Sequence, residues 1–303
     1  MVTLFRRLCY FFLPLLGLLA YLEYYSRANN SLVYKIKYLN ENHDSIECLI
    51  MGASHNWRSI NPELLSVNTA TIANAGSAIN IDFLLFDRYI NELPNLKAIV
   101  FPASLYSFED VRDENWEKNH LMHFYYGINN YKGRISFNQK FLIAANFKIY
   151  VQKYLASTHK FNKYGYMYRE RTILKVNEQG SLIQDEKVKL RLENHQKKGN
   201  RENYLKNTAR LNEIIQQCLE RNIKVVLLSP PKLAPYNNQK TISRSRREQF
   251  FEQYQNNPNV FIWNEERTFE NRPELFFDLN HMNNAGANEF SPRFDSLLNT
   301  IID

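Results

Sequence analysis

Glycine and cysteine are both scarce in this chain, with 9 and 3 among 303 residues. No internal repeat or low-complexity tract is present, and 44% hydrophobic with 23% charged residues is the balance of a globular protein, so extensive disorder is excluded. Cys9, Cys48 and Cys218 lie in an N-terminal apolar run, at the lead of an apolar burst and inside a helical pattern. That scatter gives neither a disulfide framework nor metal-ligand spacing, and the three read as small buried hydrophobes. No glycine-rich phosphate loop follows the first apolar burst, which argues against a nucleotide-binding α/β protein. No cofactor or metal is expected.

The N-terminus is rich in what the rest lacks. Arg6 and Arg7 precede an uncharged run from Leu8 to Leu22, and Tyr24 and Tyr25 follow it. The run is short for a full span, but snorkelling arginines and interfacial tyrosines extend it into a spanning helix. Positive charge on the N-terminal side places that end in the cytoplasm and the bulk of the chain outside. A cleaved signal peptide is the rival reading, with Ser26–Ala28 as a poor small-x-small site and bulky residues just before it. A buried soluble helix fits the paired arginines badly. Residues 1–25 are thus expected as a membrane anchor, 26–44 as a polar linker with a short helix, and 45–303 as one α/β domain.

Net charge is +7, with basic residues gathered between 140 and 201, among them Lys140, Lys148, Lys163, Arg169, Arg171, Lys197 and Lys198. For a domain outside the membrane, anionic lipid head groups or an acidic glycan suit such charge better than nucleic acid, which is not an expected partner. Any one of these side chains also reads simply as part of a solvated face.

Apolar bursts at 46–52, 70–75, 97–102, 223–229 and 259–263 read as buried strands. Amphipathic stretches at 79–95, 201–222, 245–257 and 283–301 read as helices between and after them. Strands apolar throughout and separated by helices imply a parallel sheet covered on both faces. A flavodoxin-like three-layer sandwich of about five strands is the expected fold, with ligands beyond the carboxyl ends of the strands. Residues 105–200 interrupt this pattern with Tyr, Phe, Lys and Asn. They are too long for a bare loop and are expected as a mainly helical cap.

The first strand runs directly into Gly52, Ala53, Ser54, His55 and Asn56. Ser54 is either a helix N-cap or a nucleophile at the sheet's carboxyl edge. A nucleophile needs a base and a group to orient it. Near the other end of the chain, Asp278 and His281 stand three apart, just before the last helical stretch. A tight turn or a first helical turn there puts both side chains on one side, so the carboxylate can hold the imidazole with its other nitrogen free. His55, as the immediate neighbour of Ser54, points elsewhere, and with Asn56 is read as lining the substrate pocket.

Gly52–His55, Asn74–Gly76 and the run from Asp278 to Ser291 resemble the SGNH/GDSL hydrolase superfamily, in particular its membrane-anchored branch of DltD-like and AlgX/AlgJ-like proteins of envelope-polymer acylation. The resemblance spans about 46–104 and 203–300 and leaves the insertion unexplained. It implies Ser54 as nucleophile, His281 as general base, Asp278 as orienting acid and the Gly76 amide as an oxyanion donor. Two departures are visible. Ala53 replaces the usual Asp, and the Gly-x-Asn-Asp block after the third strand is absent, leaving Ser104 as the nearest polar candidate for a third oxyanion donor. The implied activity is ester hydrolysis or acyl transfer to a glycan, with an acyl donor, a glycan acceptor and a multi-span membrane acyltransferase as partners. An inactive SGNH-shaped partner that binds a glycan or a membrane acyltransferase is the alternative, which the missing Asn favours.

Overall fold

The computed structural model describes residues 2–155, 160–170, 172–183, 185–196, 200–239 and 241–302. The first element is α1 (Val2–Ala28), of which Arg6–Ala28 is long and apolar enough to cross a membrane. Its two ends differ. Leu8, Phe11, Leu13, Leu16 and Leu18 are exposed, whereas Leu22, Glu23 and Ser26 are buried against the domain. The Glu23 carboxylate accepts the Leu142 and Ile143 amides at 3.0 Å each and pairs with Arg27 at 2.6 Å. In the stretch expected as a linker, α2 (Ser31–Asn42) packs through Leu32 and Leu39, which are buried.

The centre is a five-stranded parallel sheet of β1 (Cys48–Ile50), β2 (Thr69–Thr71), β3 (Ala98–Pro102), β4 (Lys224–Ser229) and β5 (Val260–Asn264), in the order β2-β1-β3-β4-β5. All five expected strands are present, each within or close to its apolar burst. Side chains alternate between two cores, as period-two geometry requires. Leu49, Ile99, Phe101, Val225 and Leu227 face one, while Ile50, Val100, Val226 and Leu228 face the other.

The first core is closed by α2, α4 (Ile79–Tyr89), α9 (Arg201–Glu220) and α11 (Ile242–Glu252). In α9, Leu211, Ile214, Ile215 and Cys218 recur at helical spacing and are all buried. The second core is closed by α3 (Ser54–Ser59) and α12 (Asn284–Ile302), which contributes Phe290, Phe294 and Leu298. A two-stranded antiparallel hairpin, β6 (Phe276–Asp278) with β7 (His281–Met282), precedes α12. The short α10 (Ala234–Asn237) follows β4.

Between β3 and α9, the helices α5 (Asn119–Tyr126), α6 (Leu142–Ala145), α7 (Phe147–Leu155) and α8 (Glu186–Gln196) are joined by longer irregular segments. Phe161–Met167 and Val176–Leu182 make isolated antiparallel bridges there. Of the basic residues noted above, Arg171, Lys197 and Lys198 lie outside the described residues.

Candidate active site at the carboxyl edge of the sheet

The β1 strand ends at a turn that only glycine fits. Gly52 has φ +111°, and a Cβ there would lie 2.8 Å from the Pro102 Cβ at the end of β3. The close approach brings the ends of β1 and β3 together. From this turn α3 begins, with Ala53 at the cap position and Ser54 as its first residue. Ser54 therefore does not cap the helix. Its hydroxyl lies 2.8 Å from His281 Nε2, across 227 residues of sequence.

His281 is held from its other side. Its Nδ1 is 2.9 Å from Asp278 Oδ1 and 3.1 Å from Oδ2. The hairpin achieves this, because Asp278 and His281 face each other across the turn between β6 and β7. The spacing of three is thus a tight β-turn. Asp278 Oδ1 also accepts the amides of Asn280 and His281 at 3.1 and 3.0 Å. Asp278 is 3% exposed while His281 is partly open. A carboxylate fixed by backbone donors beside Nδ1 requires that nitrogen to carry the proton. Nε2 is then a lone pair facing the Ser54 hydroxyl.

No family model matches this chain, and no curated protein matches it.

The other expected residues fall around this relay. Gly76 follows β2 in a turn with φ +76°. The loop is bound to the Ser54 turn by the Asn74 amide, which donates to the Gly52 carbonyl at 2.8 Å. Arg112 fixes Gly76 from outside, donating through Nε to its carbonyl at 2.7 Å and pairing with Asp110. Ser104 is 1% exposed, and its hydroxyl has no hydrogen-bond partner among the described residues. It opens onto a cavity of about 70 Å³ whose wall also includes Ala53, His55, Ser77 and Pro102. A buried hydroxyl without a partner is costly unless something else occupies it.

His55 stacks on His281 with ring centroids 4.7 Å apart and receives the Asn280 amide at 2.9 Å on Nε2. It lines the small cavity, on the flank of the relay. Asn56, expected in the pocket wall, instead lies beneath the turn. It is fully buried, and its amide donates to the Met51 carbonyl at 2.8 Å. The helical step from His55 to Asn56 turns it toward the sheet.

Several supporting residues carry no motif. Asp82 in α4 is 1% exposed, accepts the Ser77 hydroxyl at 3.1 Å and the Gly52 amide, and so ties the two loops of the site together. Burial pushes its carboxyl up to about 7, against the opposing pull of these two donors. Below Ser104, the Ala103 carbonyl accepts from Ser229 at 2.5 Å and Arg247 at 3.4 Å. Arg247 also binds Glu266 at 2.7 Å, as does Lys232 at 3.2 Å, in a fully buried network. Burial alone would raise the Glu266 carboxyl, but Lys232 and Arg247 beside it hold it well below the usual range. Asp82, Arg247 and Glu266 carry no sequence signal because they act through three-dimensional contact.

Proposed function

We propose that this chain is a membrane-anchored SGNH-like serine esterase or O-acyltransferase acting outside the membrane on a cell-envelope or exported polysaccharide. The observation that carries the proposal is the relay itself: Asp278, His281 and Ser54 joined by 2.9 and 2.8 Å hydrogen bonds. The strand order is that of a flavodoxin-like sheet, and two cores with helices over each support a three-layer sandwich. The site lies beyond the carboxyl ends of β1 and β3, where such a sheet reverses its strand order and binds ligands.

In this reading Ser54 Oγ attacks an ester carbonyl and passes its proton to His281 Nε2. Asp278 stabilises the imidazolium without taking the proton. The oxyanion meets the Ser54 and Gly76 amides, with the Ser104 hydroxyl as third donor. The leaving alcohol takes the proton from His281, and an acyl ester remains on Ser54. Water or a glycan hydroxyl then gives its proton to His281 and attacks, and His281 passes that proton to the departing Ser54 Oγ, releasing the acyl group as acid or as a new ester. No cofactor enters these steps.

Arg6 and Arg7 ahead of the apolar run support an N-terminus inside and a domain outside. The buried carboxylate of Glu23 supports a retained helix, since cleavage after it would strip α6 of its capping group. An acyl donor handed on by a multi-span membrane acyltransferase and a glycan acceptor are the partners of this reading, with no role for nucleic acid. The absent Asn after β3 favours a second reading, an inactive SGNH-shaped partner that binds a glycan or such an acyltransferase. A serine-directed fluorophosphonate separates the two. Labelling of the full chain that maps to Ser54 and is lost in Ser54→Ala is expected; a folded chain that resists the reagent would establish the inactive reading.

A further inference from the structure

A second cavity, of about 400 Å³, lies behind the candidate active site. One wall is the C-terminal end of α1 and the start of α2, including Tyr25 and Ser26. The lining also includes Trp57 and Arg58 of α3 and Asn74 and Ala75, the residues just before Gly76. The cavity thus shares the helix of Ser54 and the loop of Gly76, although neither Ser54 nor Gly76 lines it. Its size is that of a small-molecule site.

Position along α1 decides where its ligand comes from. At 1.5 Å per residue, Ser26 stands about 30 Å from Arg6, the thickness of the hydrocarbon core of a bilayer. If α1 spans the membrane as proposed above, on which this inference rests, the cavity lies at the outer head-group level. Neighbouring elements suit that level. Tyr154 of α7 packs edge-on against Tyr25 at 4.9 Å. Around it, Phe137, Phe141, Phe147 and Leu155 are exposed.

The lining chemistry is amphipathic. Trp57, Leu121, Ile149, Tyr150 and Tyr154 supply an apolar and aromatic interior. Arg58 is 6% exposed and makes no ion pair among the described residues. It donates to the Met167 carbonyl at 3.1 Å and lies over the Trp57 ring at 4.4 Å. Burial, and next the nearby Arg169, pull its guanidinium down to about 10. Asn74 is 6% exposed, and its side-chain Nδ2 has no hydrogen-bond partner among the described residues. Glu117 and Lys118 also stand on the wall and cancel in charge, leaving Arg58 as its net positive group.

We propose that this cavity binds an anionic amphiphile drawn from the outer leaflet, its chain among the aromatic residues and its phosphate or carboxylate on Arg58 and the Asn74 amide. The ligand's head would then sit against the far side of the Ser54 helix and the Gly76 loop. A buried cation with no ion pair among the described residues, sharing a cavity wall with an amide that has no partner among them, is a costly arrangement that an anion relieves.

Trp57 is the reporter. With Trp116 and Trp263 replaced by Phe, Trp57 is the chain's one remaining indole. The full chain is titrated with a bromo-chain alkyl phosphate, with the matching bromo-chain alcohol, and with bilayers containing a brominated anionic phospholipid. Saturable quenching by the phosphate is expected, about tenfold tighter than by the alcohol, as a charge-assisted hydrogen bond warrants. Arg58→Gln should erase that preference, and Arg58→Lys, a second variant should the first not fold, should reduce it. Ile149→Phe, which fills the apolar part, should weaken both probes equally. Equal quenching by phosphate and alcohol, or quenching indifferent to Ile149→Phe, would overturn the site. Quenching by the soluble phosphate but not by the brominated bilayer would overturn the membrane as its source. Release of the chain from vesicles by an alkaline wash would instead overturn the anchor reading, leaving the soluble-probe result to stand on its own.

Discussion

Replacing Asp82 by Asn removes a charge from a place where burial makes charge expensive. Its carboxyl is raised from 3.8 to about 7 by burial, with the Ser77 hydroxyl and the Gly52 amide pulling the other way. The folded value lies above the unfolded one, so the unfolded chain gives up its proton first. Stability is therefore greatest below pH 3.8, falls as the pH climbs toward 7, and stays low above it. At about 1.4 kcal/mol per pH unit between the two values, the penalty above pH 7 is about 4 kcal/mol. Asn keeps an oxygen for Ser77 and Gly52. Its NH₂, however, lands where Asp82 Oδ2 now has no partner, and an unsatisfied buried donor costs about 1–3 kcal/mol. The balance makes D82N more stable than the native chain by about 1–3 kcal/mol at pH 8, and less stable by a similar amount at pH 4. Urea melts of the full chain in detergent at the two pH values measure both differences. A variant that loses the same stability at both pH values would refute the reasoning, since Asp82 would then be an ordinary ionised group.

Ser54→Ala and His281→Ala should each remove most esterase activity, and the double variant should lose little more, because the two act in one step; losses that multiply would separate them. Ser104→Ala should slow turnover by about ten- to a hundredfold with little change in KM if its hydroxyl meets only the oxyanion. Glu266→Gln should cost about 3–5 kcal/mol in urea unfolding, because it leaves the buried Lys232 without its carboxylate and Arg247 with Glu248 alone. The native Glu266 is held low by those cations, so its contribution is present at neutral pH and fades as the pH falls through the carboxylate range. The acid side of the melting profile should flatten in the variant.

Strands were legible because their residues are buried on both faces. Cys48, Leu49 and Ile50, or Val225 to Leu228, show unbroken apolar runs that helices of a surface kind do not. The relay was legible from short signals at two ends of the chain: a small-residue turn carrying a serine, and an Asp and a His three apart. Asn56 was misplaced because an amide beside a serine reads as polar and exposed, while the helix turns it inward. Asp82 and Lys35 hid for a related reason. A carboxylate or an ammonium in an amphipathic stretch reads as solvated, yet Asp82 is buried and Lys35 donates to the Ala73 carbonyl from a site that is 1% exposed. The larger cavity had no sequence signal at all. It forms only when α1, α3, α5 and α7 meet, and their contact is set by tertiary packing rather than by local pattern.

The nucleophile itself can be caught. The full chain is mixed with an activated ester, quenched in acid within a turnover, and digested, and the peptides are searched for the retained acyl group by mass. An acyl ester on the Ser54 peptide, which accumulates in Asp278→Asn or vanishes in Ser54→Ala, is the expected result. An acyl group carried by another residue, or no covalent adduct from a chain that turns the ester over, would contradict the assignment of Ser54.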